Sequence, residues 1–243
     1  MKKTGLAFTG LAIVCVLGMH VPAAAQENAS EDTTTKTVAY DARFDHQVRE
    51  DLFAGFEGDE EALQRGLNTC EEVLKKNPKH AEALVWRGAA RVFLSGEQFG
   101  KGDMINGMKN WSGGIKDMDR AKELEPDNVG VLIPRAAVML PAGKSAPPAM
   151  GVPVLKKVRE DFETVYERQK NVLDQLGEHP HGELRMGLAD VYRALGAPEK
   201  SKAQLVAVIK ELPESDYAEV AQKWLTAPAN KKLSHNCIGC HSE

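Results

Sequence analysis

The sequence predicts an all-α protein built as an array of helical hairpins, and three observations point there. From about Asp41 to Leu225, Ala, Leu, Glu, Lys and Arg recur at helical spacing and alternating β-branched runs are scarce. Turn signals punctuate this stretch at Gly58-Asp59, Asn77-Pro78, Gly96-Glu97, Glu125-Pro126, Gly196-Ala197-Pro198 and Leu212-Pro213. Those breaks are also periodic, which is how stacked helical pairs announce themselves.

The elements follow in chain order. Lys2 and Lys3 form a basic start, Gly5 to Met19 is an apolar run without charge, and Ala23-Ala24-Ala25 ends it with small residues. This is the three-part pattern of a secretory signal peptide over residues 1–25, with cleavage expected after Ala25 and an exported, periplasmic location implied. The run is short for a membrane span, which takes roughly 20 residues. Cys15 lacks the small residue that a lipoprotein signal places before its cysteine, since Val14 stands there. Residues 26–40, "QENASEDTTTKTVA" and its end, are polar and without apolar period, and read as a disordered leader.

Residues 41–226 form the predicted repeat domain. A first helix is expected around Phe44 to Phe56, and "EALQRGLNTCEEVLKKNPKH" gives a second that ends at Pro78. "AEALVWRGAARVFLSG" opens the next pair, closed by "IKDMDRAKELEPDN" on Ala121 and Pro126. The 48 residues from Pro78 to Pro126 exceed a 34-residue period by 14, which the reading assigns to a flexible, Gly-rich insertion, "EQFGKGDMINGMKNWSGG", on the binding face. "NVGVLIPRAAVMLPAG" begins a third pair, and the prolines between Pro141 and Pro153 are expected to forbid regular helix before it resumes near Val154. A helix over Tyr217 to Leu225, with Trp224 on its apolar side, is expected to cap the array.

The last full unit is the most regular. In "GELRMGLADVYRALGAPEKSKAQLVAVIKELPES", counted from Gly182, Leu188 and Ala189 take places seven and eight, Tyr192 eleven, Ser201 twenty, Val208 twenty-seven and Pro213 thirty-two. This resembles the tetratricopeptide repeat, a helix-turn-helix unit of 34 residues whose small residues at places eight and twenty let its helices approach closely. The resemblance covers roughly residues 45–225 and implies a solenoid (TPR-like helical-hairpin repeat array) that acts by binding other proteins.

Residues 227–243 form a short irregular tail that carries the chemistry. It reads "HNCIGCHSE" from His235, so Cys237, Cys240 and His241 stand at the spacing C-x-x-C-H. The residues leave several readings open. A thioredoxin-like dithiol would follow a strand, and none is expected here. Zinc on His235, Cys237, Cys240 and His241 would crowd four ligands into seven residues. A Cys237–Cys240 disulfide is a further option. The motif resembles the attachment signature of c-type cytochromes, which implies covalent haem on Cys237 and Cys240 with His241 as the proximal iron ligand.

The sequence departs from the commoner cytochrome pattern, where a domain follows the motif; here Ser242 and Glu243 follow. It does not name a sixth iron ligand. Met104, Met108 and Met150 are placed on flexible segments, and His46, His80, His179 and His181 at helix ends or turns. His235 is too near the motif to cross the ring. Cys70, between Leu67 and Val73, reads as a small buried hydrophobe.

Composition excludes other classes. The chain has 31 basic and 35 acidic residues; without the leader's two lysines the balance is 29 to 35, about -6, with no basic patch for nucleic acid. "AGKS" at Ala142 to Ser145 lacks the upstream glycine and strand of a nucleotide-binding loop. No catalytic residue is assigned. The expected function is single-electron transfer or redox-linked protein association, on a scaffold that docks a protein partner; the alternative is an exported adaptor whose tail is a disulfide or metal site.

Overall fold

The structure, a computed structural model, describes residues 43–228, 231 and 233. The predicted leader, the polar segment after it and the C-x-x-C-H motif lie outside the described residues. Within them the fold is all-α. Its helices are α1 (Asp45–Phe56), α2 (Glu60–Lys76), α3 (Ala81–Gly100), α4 (Met104–Leu124), α5 (Val129–Ser145), α6 (Pro148–Gln169), α7 (Glu178–Ala194), α8 (Pro198–Glu211) and α9 (Asp216–Thr226). A 3-10 turn at Leu173–Gln175 precedes α7. No strand occurs among the described residues.

Consecutive helices pack as antiparallel hairpins, α1 on α2, α3 on α4, α5 on α6 and α7 on α8, while α9 closes on α8. Neighbouring hairpins join through α3 on α5 and α6 on α7. Most helix starts carry a cap that supplies a partner for an orphan backbone N–H. Asp59 accepts from the Ala62 N–H at 2.9 Å and Asp103 from Asn106 at 3.1 Å. Asn128 accepts from Gly130 at 2.8 Å, and Ser215 from Ala218 at 3.1 Å. Pro148 and Pro198 open α6 and α8 instead, at the first helical position where a missing N–H costs nothing.

Two expectations are corrected. The Gly-rich insertion is helical, so α3 runs on through Gly96 to Gly100 and α4 starts at Met104. Shared between the two helices, fourteen residues lengthen each by about two turns, or about 10 Å. The glycines serve contact instead of freedom. A Cβ on Gly114 would lie 2.7 Å from the Gly88 carbonyl oxygen, so the backbones of α3 and α4 touch there; a Cβ on Gly107 would strike the Phe99 ring.

The proline-rich stretch is also mostly helix. Pro134 and Pro141 stand inside α5 and Pro153 inside α6, and the break is confined to Ala146 and Pro147. Each internal proline forfeits one helical hydrogen bond. The helix persists because Val131, Leu132, Ala136, Met139 and Leu140 are all buried around those prolines, and burial outweighs propensity.

One large core runs beneath α1 to α7, and a smaller one lies under α7, α8 and α9, built on Met186, Ala189, Leu205, Val208, Tyr217, Ala221 and Trp224. The seam between α4, α5 and α6 holds charge. Arg135, 2% exposed, bonds Asp161 and Asp119, and Lys122 reaches the fully buried Asp161 at 2.6 Å. Removing one partner from such a set strands a charge in the interior. No helix among the described residues is long and apolar enough to cross a membrane.

Candidate functional site

Cys237, Cys240 and His241 lie outside the described residues, so the site is approached through the chain that leads to them. α9 ends at Thr226, and the Lys231 N–H turns back to the Pro228 carbonyl at 2.9 Å. Leu233 then packs against the small core under α7 to α9. Two cations fasten this path. Arg193 at the end of α7 donates through Nη2 to the Pro228 carbonyl at 3.0 Å. Lys144, in the last turn of α5, donates through Nζ to the Leu233 carbonyl at 2.8 Å.

The same ammonium bonds both oxygens of Asp190 on α7, at 2.7 and 2.6 Å. Asp190 is 3% exposed, so its charge needs a partner, and Lys144 supplies it. The lysine also complements the carbonyl end of α5. Its three N–H donors are thereby committed to α7 and to the tail. Gly143 and Gly151 bring the end of α5 and the start of α6 into backbone contact beside it, where a Cβ on Gly151 would overlap the Gly143 carbonyl.

The histidines named as axial candidates are placed elsewhere or occupied. His80 caps α3, its Nδ1 accepting from the Ala83 N–H at 3.2 Å, and its ring meets Phe44 at 5.0 Å. His46 is half-buried on α1, in the first hairpin. His181 is buried on α7 with Nε2 2.8 Å from Glu211, which Arg185 also holds. His179 opens the same helix, where the sequence suggested a turn. The Tyr217 hydroxyl donates to Glu183 at 2.9 Å, so the His179 Nδ1 at 2.7 Å from that hydroxyl carries the proton. His179 lies about 16 Å along α7 from Asp190, far from where the tail is fastened.

Met104 and Met108 are exposed on the first turns of α4, and Met150 is half-buried in the first turn of α6. The expectation of flexible segments is therefore corrected for all three. Of these candidates, Met150 alone adjoins the α5 end that holds the tail. Cys70 is buried, and desolvation pushes its thiol up to about 12. It is a core residue of α2, as expected.

Sequence reasoning missed Lys144, Asp190 and Arg193. Lys144 was read only as part of a failed nucleotide motif. The signal available was Asp190 itself, an acid between Ala189 and Val191 on a helix with buried residues on all sides. Among the described residues, no group of three or more His, Cys, Asp or Glu side chains is placed to hold a metal ion. Comparison with protein-family models, with curated proteins and with solved structures finds no match to this chain.

Proposed function

We propose that the chain is an exported monohaem c-type protein on a tetratricopeptide-like scaffold, serving single-electron transfer to a protein partner. The observation that carries this reading is the C-x-x-C-H motif at Cys237 to His241 behind a signal-peptide pattern. Its donor set fits the group: two thiols for thioether bonds to haem vinyls and one imidazole for the iron. Bound haem supplies a one-electron iron couple. Cys237 and Cys240 would hold it through thioether bonds, and His241 would ligate the iron. In this reading the protein serves as an electron carrier.

The scaffold half of the reading is supported by spacing. Counted from Ala81, with the fourteen-residue insertion set aside, Gly88 takes place eight, Gly114 twenty, Ala121 twenty-seven and Pro126 thirty-two. Those two glycines are the pair whose backbones meet. The contact matches the demand that places eight and twenty be small.

A second reading, a scaffold that binds a protein partner without redox work, is favoured by the α3–α4 tip. Met104, Ile105 and Met108 are 59%, 83% and 43% exposed there. With the half-buried Trp111 and Ile115 they continue at helical spacing down one side of α4.

A visible spectrum separates the two. Protein exported from a host with a cytochrome c maturation system should show sharp bands on reduction, lost in Cys237→Ala and altered in His241→Ala. A colourless protein, identical to its Cys237→Ala variant, would leave the scaffold reading standing alone.

A further inference from the structure

We infer that Lys144 is the positioning residue of the haem tail, locking it to the end of the array through Asp190. The inference rests on the haem reading only for what the tail carries. The lock itself stands on described residues.

Among the described residues no helix follows Thr226, and Leu233 packs on the small core under α7 to α9. Two polar anchors occur in succession, Arg193 on the Pro228 carbonyl and Lys144 on the Leu233 carbonyl. The second is the stronger design. Its cation is itself fixed by a buried carboxylate, so it does not have to be ordered when the tail arrives.

Asp190 and Lys144 come from α7 and α5, two helices that also frame the core. The carbonyl they present to is four residues before Cys237, at most about 14 Å of chain. The thioether edge of the haem is thus confined to the neighbourhood of the α5–α6 turn and the C-terminal half of α7.

The position also explains why the charge is kept. An apolar residue at 190 would remove the carboxylate that both bonds from Lys144 Nζ reach. The pair holds the Leu233 carbonyl.

The test uses the full mature protein, haem-loaded and, separately, as the Cys237→Ala/Cys240→Ala form. Lys144→Met combined with Asp190→Asn removes the lock without stranding a buried charge. Hydrogen exchange around Leu233 should rise about tenfold or more in this variant, as a charge-assisted bond is lost, while the α3–α4 hairpin stays unchanged. Lys144→Arg, which keeps charge and donors, should restore most of the protection. In the haem-loaded form, Soret-region circular dichroism should change in the double variant and recover in Lys144→Arg, with the absorbance bands retained.

Equal exchange around Leu233 in all three proteins would overturn the lock. Protection that depends on Lys144, in a protein that never takes up haem, would instead keep the lock and defeat the haem reading. An unchanged Soret dichroism beside lost protection would show that Lys144 holds the tail without positioning the haem, and so overturn the positioning role.

Discussion

The α3–α4 hairpin and the α7–α9 end are built from the same unit and finished in opposite ways. In the first, backbone meets backbone at Gly88 and Gly114, and the helices then run on to a turn where Met104, Ile105 and Met108 stand in solvent. In the second, Tyr217 and Trp224 close a small core, and Leu233 is laid over its edge. The difference teaches where each end can act. The long hairpin offers apolar surface, whereas the far end consumes its own and keeps a fastened segment that leads to the C-x-x-C-H motif.

Substitutions can break this contrast or sharpen it. The largest effect is expected at the closed end. Trp224 is 4% exposed in the small core, so Trp224→Ala should cost about 4 kcal/mol, read as a lower urea midpoint. Unfolding should begin at α8 and α9 and leave the larger core in place. A midpoint unmoved by this change would mean that α9 is not the cap of the array.

Next comes the backbone contact of the long hairpin. Gly114→Val places branched carbons where the Gly88 carbonyl and Val92 already are, and should cost about 3 kcal/mol. Differential exchange should localise the loss to α3 and α4. If the variant were as stable as the parent, the two backbones would not meet in solution.

A smaller and pH-dependent effect belongs to Cys70, on the neighbouring α2. Its folded thiol is raised to about 12, against 9.0 for the ordinary group, with burial as the main cause. The native state therefore keeps a proton that the unfolded chain loses. The stability this provides is fully present below pH 9 and falls by about 1.4 kcal/mol per pH unit as pH climbs from 9 towards 12. Cys70→Ala should remove that part of the alkaline slope in a series of unfolding curves. Identical slopes in both proteins would show that the thiol is accessible.

The smallest effect is expected at the tip. Ile105 is 83% exposed, so Ile105→Ser should change stability by less than about 0.5 kcal/mol. It should nevertheless reduce binding of an apolar dye to the native protein. A large destabilisation would mean that the tip is covered and not presented.

Much of the fold was legible because its hairpins are marked by local chemistry. Asp59, Pro126, Gly196 and Pro213 punctuate the chain where the helices turn, and Trp224 falls on the buried side of α9 as its spacing required. The misreadings have one cause. Gly107 and Gly114 look like loop residues, yet they are there because Phe99 and Gly88 leave no room for a side chain. Pro134 and Pro141 look like breakers, yet α5 is held by its buried neighbours.

The motif could be read from five adjacent residues, but its anchorage could not. Lys144, Asp190 and Leu233 are brought together across 46 and 89 positions, and no local pattern encodes such a meeting. Asp190, a buried acid between Ala189 and Val191 on α7, is the residue of this set whose burial called for a partner.

The central claim, covalent haem on this tail, is tested most directly by the intact mass of the exported protein under denaturing conditions. The account predicts the mature chain plus one haem, with the addition mapping to the peptide that contains Cys237 and Cys240 and absent from the Cys237→Ala/Cys240→Ala protein. An unmodified mass from a host that loads other c-type cytochromes would contradict it.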